Sequence, residues 1–127
     1  MDGVEVVKHR PSSEDERGRI VKYVFGEPVE EVVVVERRKG TVSGNHYHKG
    51  LDISKNPEKL IILSGKAGFE AKNLLTGGEL KKTVGPLTEI RIHPHVWHRL
   101  EALEDCIFME ANKRSGIEGD LFRIQEG

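Results

Sequence analysis

The sequence lacks the features that several protein classes require. It has one cysteine, Cys106, in 127 residues, so neither an internal disulfide nor a zinc site built on cysteine pairs can form. Its longest apolar runs, Val32–Val35 and Leu60–Leu63, are far shorter than the roughly 20 residues that cross a bilayer. The start Met1-Asp2-Gly3 does not read as a signal peptide. We therefore expect a soluble, cytoplasmic protein with no membrane partner.

An excess of one charge is also missing. The 20 Lys and Arg residues oppose 21 Asp and Glu residues, for a net charge of −1. Strong binding to a nucleic-acid backbone requires a basic excess on one face, so we expect no nucleic-acid partner. No linker, repeat or low-complexity tract divides the chain. We therefore predict a single domain over residues 1–127.

No stretch of the sequence has the pattern of a long helix. Short β-type runs alternate with Gly, Pro, Asn and Lys clusters about every ten residues, which is typical of a sandwich or barrel. The predicted strands are Val4–His9, Arg19–Phe25, Glu31–Arg37, Thr41–His48, Lys59–Leu63, Ala67–Asn73, Glu79–Val84, Glu89–His93, His98–Ala102 and Cys106–Glu110. They favour an all-β fold, a two-sheet antiparallel jelly roll. An immunoglobulin-type sandwich is the alternative, but this chain does not supply its Cys…Trp…Cys core.

Five of the six histidines fall in two clusters, which makes them the most informative residues. His46 and His48 are two positions apart, and on a strand such residues face the same side, about 7 Å apart along the backbone. Their imidazoles can converge on one metal ion, since zinc, iron, nickel and manganese all accept this ligand. The second cluster contains His93, His95 and His98, and Pro94 predicts a turn within it.

The spacing of these residues resembles the motifs of the cupin superfamily. Gly40-x5-His46-x-His48 followed by Glu58-x6-Gly65 is similar to the first cupin motif, with nine residues instead of three or four before the glutamate. Residues 93–98 are similar to the second motif, with His98 at its ligand position. The resemblance implies a single-domain cupin, a double-stranded β-helix or jelly-roll barrel. It also implies a metal site of His46, His48, Glu58 and His98, with Asp52 as the alternative acidic ligand.

A narrower resemblance concerns enzymes of sugar-nucleotide metabolism. Asp15-Glu16-Arg17-Gly18 and the segment from Gly40 to Tyr47 are similar to elements of the dTDP-4-dehydrorhamnose 3,5-epimerases. Ser43 stands where those epimerases have an arginine for the substrate phosphate. Gly44-Asn45-His46-Tyr47-His48 also resembles cupin domains attached to capsular-polysaccharide sugar-nucleotide enzymes. The implied function is an epimerase or isomerase that acts on a nucleotide-linked keto sugar in polysaccharide biosynthesis.

This hypothesis assigns a role to each candidate residue. A divalent zinc, iron, manganese or nickel ion polarises the keto group. His93 and His95 at the pocket mouth are the candidate acid and base, or His46 if no metal binds. Arg91 is the candidate for contact with an anionic substrate. Two alternatives stay open: a metal-dependent dioxygenase, for which three histidines and a carboxylate leave open positions on iron, and a non-catalytic carbohydrate- or metabolite-binding module.

We also expect self-association. Exposed strand edges in a jelly roll favour pairing or coverage, and two-fold dimers are the commonest oligomers. The predicted state is a homodimer formed through an edge of one sheet.

Overall fold

The computed structural model describes residues 1–52, 55–113 and 119–124. Within these ranges the secondary structure consists of β-strands: β1 Val4–Lys8, β2 Ser13–Asp15, β3 Gly18–Ile20, β4 Glu31–Arg37, β5 Val42–His46, β6 Glu58–Ser64, β7 Ala67–Asn73, β8 Glu79–Val84, β9 Thr88–Ile92, β10 Val96–Ala102 and β11 Cys106–Asn112. Among the described residues, no helix is long and apolar enough to span a membrane.

The strands form two main antiparallel sheets and a small hairpin. One sheet has five strands in the order β1-β9-β6-β11-β4, and the other has four in the order β5-β10-β7-β8. Strands β2 and β3 pair only with each other. Neighbours in each main sheet are mostly not consecutive in the chain, as expected when a chain passes back and forth between two sheets. The predicted all-β jelly roll is confirmed.

The core lies between the two sheets and follows from the period-two alternation of the strands. In β10 the buried positions are Val96, His98, Leu100 and Ala102, while the residues between them are half-buried. Strand β6 departs from this pattern, because Glu58 to Ile62 are all buried. The aliphatic and aromatic side chains that meet in the core include Leu60, Ile62, Phe69, Ile90, Ile92, Leu100 and Phe108.

A glycine turn allows the strand order that brings β6 and β11 together. Gly65 has φ of +80°, and a Cβ there would lie 2.3 Å from the carbonyl oxygen of Asp105. Both the backbone conformation and the lack of space require glycine at this position.

Apart from Arg19–Phe25, the sequence-based strands agree with the structure to within two residues at either end. Glu31–Arg37, Ala67–Asn73 and Glu79–Val84 have the predicted bounds. The predicted strand Arg19–Phe25 is wrong, because strand β3 ends at Ile20 and the chain then continues without regular structure to β4. Strands β2 and β3 have every residue exposed, so no apolar face holds the chain against a sheet there.

A candidate metal centre and active site

The geometry of strand β5 carries the first two histidines to the interior. His46 pairs with His98 of β10, and the register between the strands shifts immediately after this pair. Gly44 has φ of +82°, and a Cβ there would lie 3.0 Å from the carbonyl oxygen of His98, so glycine permits the close approach of β5 to β10. Tyr47 points away from the histidines and stacks on Phe122.

Three histidines and one glutamate converge in the core. His46, His48, Glu58 and His98 each offer one nitrogen or oxygen atom, and these atoms all lie within 4.8 Å of one another. Glu58 Oε2 lies 3.3 Å from His48 Nε2 and 3.2 Å from His98 Nε2. His48, Glu58 and His98 are buried, and His46 is half-buried. The structure therefore brings together the four residues singled out from sequence.

Backbone carbonyl groups fix the protonation of two of these imidazoles. His48 Nδ1 bonds to the carbonyl oxygen of Asp120, and His98 Nδ1 bonds to that of Val96 at 3.1 Å. Because a carbonyl oxygen only accepts, both Nδ1 atoms carry hydrogen, and in the neutral ring each Nε2 presents a lone pair. These lone pairs face Glu58 Oε2. Within the described part of the chain, neither His48 Nε2 nor Glu58 Oε2 has a hydrogen-bond partner, so the donor set fits a bound cation.

The charges of the cluster perturb one another. Burial, together with repulsion from His98, lowers the pKa of His46 to about 4, so this ring is neutral at neutral pH. Burial opposes ionisation of Glu58, but its contacts with His48 and His98 prevail and hold the pKa of this carboxyl well below its usual range. Burial likewise opposes protonation of His48, but Glu58 and the Asp120 carbonyl raise its pKa.

Three members of the cluster, His46, Glu58 and His98, line a cavity of about 180 Å³ between the sheets. Other walls are apolar, with side chains from both sheets: Val35, Leu60, Phe69, Leu100 and Phe108. Three further polar residues, Arg37, Ser43 and Glu110, also line it. A small, largely apolar cavity with a few converging polar groups has the character of a small-molecule site.

Arg37 and Glu110 were missed by sequence reasoning. Arg37 Nε donates to Ser43 Oγ at 2.8 Å, and Nη1 donates to the carbonyl oxygen of Glu36 at 3.1 Å. Glu110 accepts a bond of 3.4 Å from Lys55 Nζ, which also lies 3.7 Å from Glu58 Oε1. Period-two alternation could have identified both residues. Arg37 lies on the same face of β4 as Val35, and Glu110 lies on the same face of β11 as Phe108.

The structure does not bring the other predicted residues to the cavity. His93 Nε2 bonds to Glu5 at 3.1 Å, and His95 lies in the turn after β9 with φ of +65°. Arg91 Nε donates to the buried carboxylate of Glu89 at 2.5 Å, on the face of β9 opposite to that of the core residues Ile90 and Ile92. None of the three is among the residues that line the cavity, and the catalytic and substrate-binding roles predicted for them stay predictions.

Comparisons with known proteins bear on the fold. No family model matches the sequence, and the search of curated protein sequences found no significant match. Among solved structures, the sugar 3,4-ketoisomerase QdtA from Thermoanaerobacterium thermosaccharolyticum in complex with TDP has a TM-score of 0.77 at 20% identity, over 98% of this chain and 90% of that chain. The WlaRB TDP-quinovose 3,4-ketoisomerase from Campylobacter jejuni has a TM-score of 0.78 at 14% identity, over 98% and 95%.

A third similar structure is the dTDP-4-dehydrorhamnose 3,5-epimerase from Sulfolobus tokodaii, with a TM-score of 0.71 at 19% identity, over 93% of this chain and 74% of that chain. The similarity extends over nearly the whole chain in all three cases. The chain has the cupin jelly-roll fold.

The cupin fold also accounts for the unusual spacing of the first motif. The extra residues of the motif fall between β5, which ends at His46, and β6, of which Glu58 is the first residue. Its side chain joins the histidines, whereas Asp52 is not part of the cluster. The extra residues therefore lengthen the connection without moving the glutamate from its place at the start of the strand.

Proposed function

We propose that this cupin is an enzyme that isomerises or epimerises a nucleotide-linked keto sugar. The observation that carries the proposal is the cluster of three histidines and one glutamate, three members of which line a small cavity. The fold adds support, since similar structures include ketoisomerases, and one of them, a mutant of QdtA, is in complex with TDP-4-keto-6-deoxyglucose. The fold alone does not select a reaction, so the choice of reaction rests on the residues that line the cavity.

The proposal includes a divalent metal held by His46, His48, Glu58 and His98. Three imidazoles and one carboxylate suit zinc, iron, nickel or manganese, and the inward-facing Nε2 and Oε2 atoms offer lone pairs to a cation between them. When bound, such an ion would supply Lewis-acid polarisation of the keto group. Metal analysis of the purified protein, with uptake of Zn²⁺ and Ni²⁺ by metal-free protein, tests this part of the proposal.

Residues outside the cluster then bind the substrate and move its proton. The apolar walls take the sugar ring and exclude water, while the guanidinium of Arg37 binds the phosphate. Ser43 holds that guanidinium by a hydrogen bond, which places a cation beside the position where the epimerases have their arginine. Glu110 accepts the proton from the hydroxyl-bearing carbon next to the keto group and delivers it to the carbonyl carbon, while the hydroxyl proton passes to the keto oxygen, so that the keto group moves by one carbon. Lys55, bonded to Glu110, keeps the carboxylate oriented.

Solvent-deuterium exchange tests the function. Wild-type protein should incorporate deuterium from D₂O into TDP-4-keto-6-deoxyglucose at the carbon next to the keto group. Glu110→Gln should slow the exchange by roughly a hundredfold or more, because general-base catalysis contributes factors of this size. Glu104→Gln, an exposed glutamate outside the cavity, is the matched control and should leave the rate unchanged. Absence of exchange in metal-loaded wild type with any 4-keto nucleotide sugar would contradict the proposal.

The same cluster supports a second candidate, an iron-dependent dioxygenase. Three histidines and a carboxylate leave open coordination positions on iron, which oxygen chemistry requires. Iron as the bound metal and oxygen consumption in the presence of substrate would favour this alternative. Ligand binding without turnover of either kind would instead favour a non-catalytic carbohydrate- or metabolite-binding module.

We propose further that the protein is a homodimer. Strand β4 is an edge strand of the five-stranded sheet, and its outward-facing Val32 and Val34 are 54% and 59% exposed. An apolar edge of high β-propensity favours pairing with another strand. Light scattering should give a mass near twice 14.3 kDa, and Val34→Lys should shift the protein towards the monomer. A wild-type monomer at high concentration would contradict this state. The cytoplasmic location stays a prediction.

A further inference from the structure

The C-terminal residues 119–124 lie along the free edge of strand β5. Tyr47, next to the end of β5, exchanges two backbone hydrogen bonds of 2.9 Å with Phe122, and the two rings stack 5.6 Å apart. Arg123 Nη1 donates to the carbonyl oxygen of Asn45 at 3.1 Å. We name residues 119–124 the C-terminal strap, since they hold the chain segment that carries His46 and His48.

Asp120 connects this strap to the cluster in two ways. Its backbone carbonyl accepts the hydrogen of His48 Nδ1. Its carboxylate accepts the backbone N–H groups of Lys49 at 2.8 Å and Asp52 at 2.9 Å. Asp120 is only 6% exposed. The carboxylate thus anchors the strap to the residues that follow His48, and the carbonyl accepts a hydrogen bond from the His48 ring.

We propose that Asp120 is a positioning residue for His48, an inference that rests on the metal site of the proposed function. An imidazole in water exchanges its proton between Nδ1 and Nε2, and only the Nδ1–H form offers the Nε2 lone pair to a metal. The Asp120 carbonyl accepts a proton only from Nδ1, and so it selects the metal-binding tautomer. The Asp120 carboxylate fixes the position of that carbonyl.

His98 provides an internal reference for this effect. Its Nδ1 bonds to the carbonyl oxygen of Val96, two residues earlier in its own strand, and so does not depend on the strap. Loss of the Asp120 carboxylate should therefore change the tautomer of His48 and leave that of His98 unchanged. A general loss of stability would affect both rings.

The experiment compares Asp120→Ala and Asp120→Asn with a matched control, Asp105→Ala. Asp105 also accepts a backbone N–H, that of Lys39 at 2.8 Å, but lies outside the cluster. Long-range ¹⁵N–¹H NMR spectra of the metal-free proteins report the histidine tautomers, and calorimetry reports the affinity for Ni²⁺ alone. Asp120→Ala should populate the Nε2–H form of His48 and weaken Ni²⁺ binding by roughly tenfold to a hundredfold.

Asp120→Asn keeps one acceptor oxygen and should restore part of the affinity, while Asp105→Ala should match wild type. An unchanged His48 tautomer with Ni²⁺ affinity equal to that of Asp105→Ala would overturn the inference. If Asp120→Ala does not fold, the His48 tautomer and the Ni²⁺ affinity of Asp120→Asn test the inference instead. If wild type binds no Ni²⁺, the metal site of the proposed function fails, and the tautomer of His48 alone then decides whether Asp120 positions the ring.

Discussion

Replacement of Arg37 by alanine gives a sharp test of how the cavity binds its substrate. The guanidinium has five N–H groups, of which one on Nε and one on Nη1 are used in bonds to Ser43 and the backbone of Glu36. Among the described residues, no carboxylate lies within 4.0 Å of this guanidinium, in contrast to that of Arg91, which Glu89 neutralises. Arg37 therefore has donors and an unpaired charge for a substrate phosphate.

The size of the effect follows from the bonds that are lost. A hydrogen bond to a charged group contributes about 1.5–3 kcal/mol. Arg37 is exposed, so solvent competes for the phosphate and the lower half of that range applies. A loss of about 1.5–2 kcal/mol corresponds to roughly tenfold to thirtyfold weaker binding. Arg37→Lys keeps the charge but not the planar fork, and its affinity should lie between those of wild type and Arg37→Ala.

The assay is calorimetric titration with TDP, which carries the phosphates without the sugar. Arg38→Ala is the matched control, because it removes the same charge from the next residue, which does not line the cavity. TDP affinity in Arg38→Ala should stay within about twofold of wild type, as expected for a long-range charge effect that salt screens. If Arg37→Ala and Arg38→Ala weaken TDP binding equally, or if neither does, Arg37 does not bind the phosphate.

Three other predictions concern the metal, the core and the thiol. His46→Ala removes a proposed ligand and should weaken Ni²⁺ binding in calorimetry by more than a hundredfold, whereas His93→Ala should leave it unchanged; equal affinities would contradict the assignment. Phe69→Ala should lower the free energy of unfolding by about 3–5 kcal/mol in urea titrations, because its ring is 1% exposed; a cost below about 1 kcal/mol would show that this ring is not packed in the core. Burial raises the pKa of the Cys106 thiol, so the stability that the neutral thiol contributes is complete below pH 9 and is lost as pH rises through the raised pKa. The free energy of unfolding of Cys106→Ala should therefore fall less at alkaline pH than that of wild type, and identical pH profiles would refute this.

Local pattern was enough to predict most of the fold. Short β-type runs bounded by Gly, Pro, Asn and Lys clusters located Ala67–Asn73 and Glu79–Val84, whose bounds the structure reproduces. The same reasoning failed for Arg19–Phe25, because its apolar residues do not pack in a sheet and Ile20 stays 58% exposed. Local sequence cannot distinguish a strand with a partner sheet from an extended segment without one.

The sequence by itself determined the histidine pair at the end of β5, because residues two apart in an extended segment face one side whatever the rest of the chain does. Strand geometry alone does not show which distant residues share that side, and only the resemblance to the cupin motifs pointed to Glu58 and His98. The tertiary structure brought Glu58 and His98 to the pair, added Arg37 and Glu110 to the cavity, and placed Asp120 against His48 across 72 positions of sequence. It also turned Arg91 outward to Glu89 and left His93 beside Glu5. Such contacts depend on strand order and register, which are set by the packing of two whole sheets and not by any local pattern.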